Sequence, residues 1–459
     1  MIGAMASQRI IAGSRTVGHV AEHFELLKQR CQQLRSQFGV RQRGFFTPTE
    51  DEQTRHLLVS YWQARAALFE LILSFKDEAQ GESDASREAF VVAYAAVVLL
   101  VDAARFLREQ FGRNPVIIAK LNEAEPHFGI PPQVYDTVQH SLTSPVHAWH
   151  LFHAQRYLLH HRRALGQLAT DDGALQPAMT VIKKLGRRAR IALPRYISAR
   201  ARVRGRQLKD LMVQTAVGKL VYAVETLAGR TVADLYTRPD HHPALPPHVC
   251  DQLRALLEPG DVLVSRKEHA LTNYFLPGYW PHASFYIGDA QTLRRLGIAD
   301  HEHVQPRWDR IVTGGGEDPR RVVEAQKDGV HIRSLNSPLT CDAIAVVRPR
   351  IDRPLIADAL ARAIFHEGKP YDFDFDFTRA DRLVCTEVAY RAYEGIGDIR
   401  FELTRRAGRL TFSAEDLLRM ALARRYFQPL AVYSASHYKL LATDDSAAQV
   451  LHATLAGQP

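Results

Sequence analysis

The sequence predicts an α+β protein in two parts. An all-helical domain spans residues 1–245. A mixed domain with a small, mostly antiparallel sheet spans 246–440, and 441–459, small and polar, reads as a flexible tail. Three observations lead there. The chain has 459 residues, too many for one ordinary core. Hydrophobic residues make up 46% and charged residues 24%, a globular composition that excludes wholesale disorder. The apolar pattern then changes from helical to strand-like after a proline-rich stretch, Arg238–Pro247, which reads as a linker.

In the helical part, Glu52–Phe75 puts Leu57, Leu58, Tyr61, Leu68, Leu71 and Ile72 on one broad face. Ser83–Phe111 opens with capping residues and is apolar on nearly every side, as the central helix of a bundle is. Its longest apolar run, Ala89–Val101, is shorter than the about 20 residues a membrane span needs. Ser144 followed by Pro145 starts a helix to Leu165. Lys209–Leu227 is the last helix expected, with Gly229 as its stop.

In the mixed part, His248–Leu257 is a short helix ended by Pro259 and Gly260. β-rich runs follow at Asp261–Ser265, His282–Ile287, Val322–Ala325, Val330–Ile332 and Ala343–Arg348, bounded by Gly, Pro and Asp. Helices are expected at Arg353–His366 and from Cys385 to Gly395. Tyr371–Phe377 alternates aromatics with acids and reads as a strand leading to Cys385.

Charge is uneven. The net charge is +9, from 59 basic and 50 acidic residues. Eleven of the basic residues lie between Lys183 and Lys209 with no acid among them; removing them leaves 48 against 50. The basic excess therefore sits in one stretch. It can be a solvated linker or a contact for an anionic membrane surface. Nucleic acid is the less favoured partner, because Tyr196 is the stretch's one aromatic and no nucleic-acid-binding motif surrounds it. The start, MIGAMASQRI, lacks a basic flank before an apolar core, so no export leader is expected. Four widely spaced cysteines form neither a disulfide framework nor a zinc motif. The expected location is the cytoplasm, with peripheral membrane contact as an addition. Oligomeric state is not legible.

The chemistry gathers in the second part. Cys385 stands where an extended segment passes into a helix. A thiol in a first helical turn feels the positive end of the dipole, which favours thiolate. A free cysteine is as readily a small buried hydrophobe. A nucleophilic thiol needs a base, and His282 opens a strand on which Ser284 and Tyr286 share its face. A third group should orient that imidazole. Glu324, one acid within an apolar strand, needs a buried partner: an imidazole, or one of the many arginines. His301-Glu302-His303 lacks the helical spacing of a zinc site, and Gly314–Gly316 lacks the Lys-Ser/Thr of a phosphate loop. No metal or cofactor is expected.

Five fragments in order carry a resemblance: Leu257–Val264, Pro281–Gly288, Val322–Ala325 with Asp328–Val330, Gly368–Asp372, and Leu383–Val388. Over roughly residues 246–430 the chain resembles the YiiX/YebB-like branch of the NlpC-type cysteine hydrolases. The resemblance implies a circularly permuted papain-like fold, in which the histidine precedes the cysteine. It implies Cys385 as nucleophile, His282 as base and Glu324 as the acidic group. Thr386 stands where the family often has Ser, and 291–320 looks like an insertion between His282 and Glu324. Residues 1–245 resemble no family we can name.

The reading is a thiol hydrolase or acyltransferase acting on an amide or ester through an acyl-thioester. The substrate class is a peptide or an acyl lipid, with the basic stretch favouring the lipid-linked one. The rival is a catalytically silent papain-like domain that serves, with the helical part, as a membrane- or protein-binding module.

Overall fold

A computed structural model gives the fold. It describes residues 2–456 apart from 38, 76–83, 113, 126–129, 144, 172, 191–240, 242, 269–277, 314–317, 407–408 and 437. The chain divides into two compact units, Met1–Thr237 and Arg238–Pro459.

The first unit is helical. α1, Ile2–Gln37, is a 36-residue helix that the sequence reading did not anticipate. It buries Val17, Val20, Phe24, Leu27, Cys31 and Leu34, a spacing of three and four that forms one stripe. α2 is Val40–Arg43 and α3 is Pro48–Leu73. α3 opens with a capping box. Glu50 N–H donates to Thr47 Oγ1, and Thr47 N–H donates to the Glu50 carboxylate at 2.8 Å. α4, Asp84–Phe111, packs against α1, α3 and α9 (Gln176–Leu185). Residues 85–111 are long and apolar enough to cross a membrane, yet 78% of the most apolar window is buried in the protein. Between α4 and α9 lie α5 (Pro115–Leu121), α6 (Val134–Ser141), α7 (Pro145–His160) and α8 (Arg162–Asp171). The single helix expected over 144–165 is thus two. They meet at His161, whose Nδ1 bonds the Tyr157 carbonyl. The helix expected at Lys209–Leu227, and the basic stretch from 191 onward, lie outside the described residues.

The second unit is built on a seven-stranded sheet. After α10, Pro247–Leu256, come β1 (Val262–Arg266) and β2 (His282–Gly288). The turn before β1 places Gly260 at φ +100°, where a Cβ would meet the Tyr393 hydroxyl. The stretch expected as an insertion holds α11 (Ala290–Arg295) and α12 (Trp308–Thr313). It packs Leu293, Val304 and Ile311 into the core and returns the chain beside β2. β3 (Arg321–Gln326), β4 (Gly329–Ser334), α13 (Asn336–Leu339), β5 (Ala343–Pro349), α14 (Arg353–Phe365) and α15 (Cys385–Tyr393) follow. Then come a small hairpin, β6 (Thr404–Arg406) with β7 (Arg409–Thr411), and α16 (Ala414–Leu422). β8 (Phe427–Ser434), β9 (Tyr438–Thr443) and α17 (Asp444–Leu455) end the chain.

The strand order is β4-β3-β2-β1-β5-β8-β9, every neighbouring pair antiparallel. One face buries Val264, Phe285, Val323 and Ala345 with residues of α14 to α17. The other buries Leu263, Tyr286, Val322 and Ile344 against α10 and the residues around α13. Coverage on both faces explains why these strands read as continuous apolar runs.

Two expectations need correction. Over 441–456 the expected flexible tail is instead regular structure: 441–443 finish β9, and α17 buries Ala447 and Leu451 in the core. The Trp280 indole N–H also donates to Thr454 Oγ1 at 3.0 Å. The alternation over Tyr371–Phe377 is not a strand. The Asp372 carboxylate accepts the backbone N–H groups of Asp374 and Asp376, at 3.0 and 2.7 Å, and this winds the segment into turns. Only Tyr371 bridges to Leu383.

Candidate functional site

The site forms where three elements converge. β2 and β3 are neighbours, so His282 at the start of β2 and Glu324 within β3 share a sheet face. α15 packs on β2 and β3 and brings Cys385, its first residue, to the same place. The segment entering α15 is fixed by two hydrogen bonds. Asp372 N–H donates to the Leu383 carbonyl at 3.1 Å, and Leu383 N–H to the Pro370 carbonyl at 3.0 Å.

The structure brings together all three residues singled out from the sequence. His282 Nε2 and Glu324 Oε1 are 2.7 Å apart. The other ring nitrogen, Nδ1, is left for the thiol, and the Cys385 side chain interacts with the ring by hydrogen bond and by charge. Cys385 Sγ also lies 4.0 Å from the Pro281 carbonyl oxygen. Glu324 is 1% exposed and Cys385 4%, whereas the His282 side chain keeps 26% of its surface open.

Burial by itself would leave every member neutral; the partners reverse that. Burial raises the Cys385 thiol, but the charge of His282, a hydrogen bond to it, and the backbone N–H groups of Ala283 and Thr386 hold its pKa below the ordinary thiol value. Burial lowers the His282 ring, but the Cys385 thiolate and then Glu324 raise it to about 10. Glu324 is pushed up by burial and pulled far below the carboxylate range by His282, Arg333 and Ser337. These shifts favour a thiolate–imidazolium pair backed by a carboxylate, with the sulfur at the positive end of α15.

Glu324 has further partners. Ser284 Oγ donates to Oε1 at 2.9 Å, Ser337 Oγ to Oε2 at 2.6 Å, and Arg333 Nε stands 3.5 Å from Oε2. Arg333 is anchored in turn by Asp328, at 2.5 Å. Both readings of the lone acid, imidazole and arginine, are therefore realised at once. Sequence reasoning missed Ser337 and Arg333. The available signal was the need of a fully buried carboxylate for more than one donor.

Around this core sit two carboxyls with raised pKa values. Burial and neighbouring Asp374 raise Asp372 to about 6. Burial raises Glu387, on α15, to about 8 against the pull of Arg391. Tyr371 is raised by burial and by the Cys385 charge. Elsewhere, the His301 and His303 rings lie 5.1 Å apart, and no group of three or more metal-ligating side chains forms among the described residues. The Gly314–Gly316 loop lies outside them.

A helix-borne cysteine on a sheet carrying histidine and glutamate, with the histidine earlier in the chain, defines a permuted papain-like domain of the cysteine hydrolase class. Residues 256–442 match the family model described as permuted papain-like amidase enzyme, YaeF/YiiX, C92 family. The match falls within the second unit, which is similar to that family over those residues. No curated protein and no solved structure matches the chain.

Proposed function

We propose that the second unit cleaves an amide through Cys385, His282 and Glu324. The observation that carries this is the continuous contact from the Glu324 carboxylate through the imidazole to a thiol whose pKa is lowered despite burial. The Cys385 thiolate attacks the carbonyl carbon, and negative charge develops on the oxygen beside the N-terminus of α15. The His282 imidazolium gives its proton to the leaving amine as the C–N bond breaks. An acyl-thioester on Cys385 remains. Water, deprotonated by the now neutral imidazole, attacks it; the carboxylic acid leaves and the thiolate–imidazolium pair is restored. An acceptor other than water makes the same site an acyltransferase. Glu324 keeps the ring oriented and stabilises its charge, as the third member of such a triad does.

The family description, an amidase, supports amide over ester. The basic stretch supports a substrate at an anionic surface, with Lys183–Lys209 as the contact. Arg188 is already engaged by Asp102 and Glu109, so the contact falls to the other cations. Intact-mass measurement after incubation with peptide and acyl-lipid pools tests the chemistry. An acyl adduct on the wild type and none on Cys385→Ala is expected; no adduct from any pool, with no product released, counts against turnover. Co-sedimentation with anionic and neutral vesicles tests the surface. Binding should require anionic lipid and weaken with salt, since the Debye length is about 8 Å at physiological ionic strength.

A further inference from the structure

When a thiolate adds to an amide, the carbonyl oxygen becomes an oxyanion, and fixed hydrogen-bond donors must hold it. The N-terminus of α15 has few donors to give. The backbone N–H groups of Thr386 and Ala283 are directed at the Cys385 sulfur. Glu387 N–H donates to the Val384 carbonyl at 3.1 Å. The Cys385 N–H remains, and among the described residues it has no acceptor. A side-chain donor beside it would complete a fork.

Tyr371 stands where that donor belongs. It pairs with Leu383 in a parallel bridge, which the two hydrogen bonds between 370–372 and Leu383 hold in register. Paired residues of neighbouring strands carry their side chains to one face, and so do alternate residues along a strand. Val384 is extended, at φ −93° and ψ 170°. Cys385, two residues beyond Leu383, therefore shares a face with Tyr371, and the charge on its sulfur bears on the Tyr371 hydroxyl. The support is fixed. The Tyr371 ring meets Phe373 edge-on at 5.0 Å and Phe375 at 6.2 Å, and the loop that follows is wound around the Asp372 carboxylate.

The hydroxyl is unused. Tyr393 donates to the Gly260 carbonyl, and Tyr279 bonds Ser434 Oγ at 2.9 Å. Among the described residues Tyr371 Oη has no such partner, although its side chain is only partly exposed and a tyrosine in that setting ordinarily finds one. Burial and the neighbouring thiolate both keep its proton in place, so it remains a donor.

Resting on the amide cleavage proposed above, we propose that Tyr371 is a further catalytic residue, whose hydroxyl and the Cys385 N–H together hold the oxyanion at the scissile carbonyl. The S–C bond forms as the carbonyl π pair moves onto oxygen. Tyr371 keeps its proton and shares it as a hydrogen bond. When the pair returns, the C–N bond breaks and the amine leaves with the His282 proton.

The test separates addition to a carbonyl from attack on a saturated carbon, which creates no oxyanion. Full-length wild type, Tyr371→Phe and Cys385→Ala are treated with p-nitrophenyl acetate or with iodoacetamide, and adducts on Cys385 are followed by intact mass and peptide mapping. Tyr371→Phe should acetylate about a hundredfold more slowly than wild type. Its alkylation rate, the pH profile of that rate and its urea midpoint should match wild type, because the ring packing is kept. Equal acetylation rates in wild type and Tyr371→Phe overturn the assignment and leave the hydrolase reading in place. Equal loss of acetylation and alkylation also overturns it, since the hydroxyl then acts on the thiolate or on the fold. A wild-type Cys385 that is alkylated but not acetylated overturns the hydrolase reading, and the donor role falls with it.

Discussion

Cys31 and Cys385 are both buried, at 9% and 4% exposure, and their thiols are driven in opposite directions. Cys31 sits in the second half of α1, facing apolar side chains. Burial pushes its pKa up to about 12, with Arg30 a weak counterweight. Cys385 begins α15, where the Thr386 backbone N–H and an imidazole stand against the sulfur. Burial is thus no guide to reactivity; what faces the sulfur decides it. The other two thiols, Cys250 and Cys341, also rise by burial. One chain therefore contains three thiols raised by burial as internal controls for the fourth.

The strongest way to break this contrast is to remove the sulfur. Cys385→Ala should lower turnover at least about ten-thousand-fold at a stability cost of about 1 kcal/mol, read from initial rates and a urea melt. Cys31→Ala should leave turnover untouched. Wild-type rates in Cys385→Ala would falsify the mechanism.

Removing the base comes next. His282→Asn should slow turnover by about a thousand-fold. It should also return Cys385 to the alkylation profile of an ordinary thiol, measured with iodoacetamide across pH. In the wild type the ion pair is lost as pH falls through the lowered thiol pKa, and again as pH rises through about 10, where His282 gives up its proton. Cys385 alkylation should therefore persist into acid well below the pH at which Cys31, Cys250 and Cys341 stop reacting. The sign for stability follows the same groups. An imidazole pKa raised from 6.5 to about 10 stabilises the fold fully below 6.5, and that contribution fades as pH climbs through 10.

Smaller effects sharpen the picture. Glu324→Gln keeps the shape but removes a charge-assisted hydrogen bond worth about 1.5–3 kcal/mol. Turnover should drop ten- to a hundred-fold and the His282 pKa should fall, visible in the imidazole NMR signals. Ser337→Ala should cost about 1 kcal/mol at most, a several-fold loss of kcat with KM unchanged; a change in KM alone would show that Ser337 acts elsewhere.

Much of the C-terminal fold was legible because its strands are apolar runs cut by Pro, Gly and Asp, and because cysteine, histidine and glutamate stood in unusual settings. The rest was hidden for identifiable reasons. α1 carries its stripe among Gly13, Ser14 and Gly18, which dilute the period. α17 buries Ala447, Leu451 and Thr454, one large apolar side chain among small or polar ones, so its composition looks like a tail. At Tyr371–Phe377 the pattern of side chains suggested a strand, and one carboxylate capturing two backbone N–H groups prevailed. Arg333 joined the site through the β3–β4 hairpin and Ser337 through α13 after it, which no local pattern announces.

The histidine and the cysteine are about a hundred residues apart in the chain, and His282 and Glu324 are separated by 42. During synthesis His282 leaves the ribosome first, then Glu324, then Cys385, and β8, β9 and α17 follow later still. Closing loops of this length is slow compared with forming a local helix. Until the sheet is complete, the cysteine has no imidazole beside it and behaves as an ordinary thiol. The nascent chain is therefore its own zymogen: it matures by folding rather than by cleavage. In a refolding time course, rapid labelling of Cys385 should appear together with the slowest sheet signal and not with the early helical one.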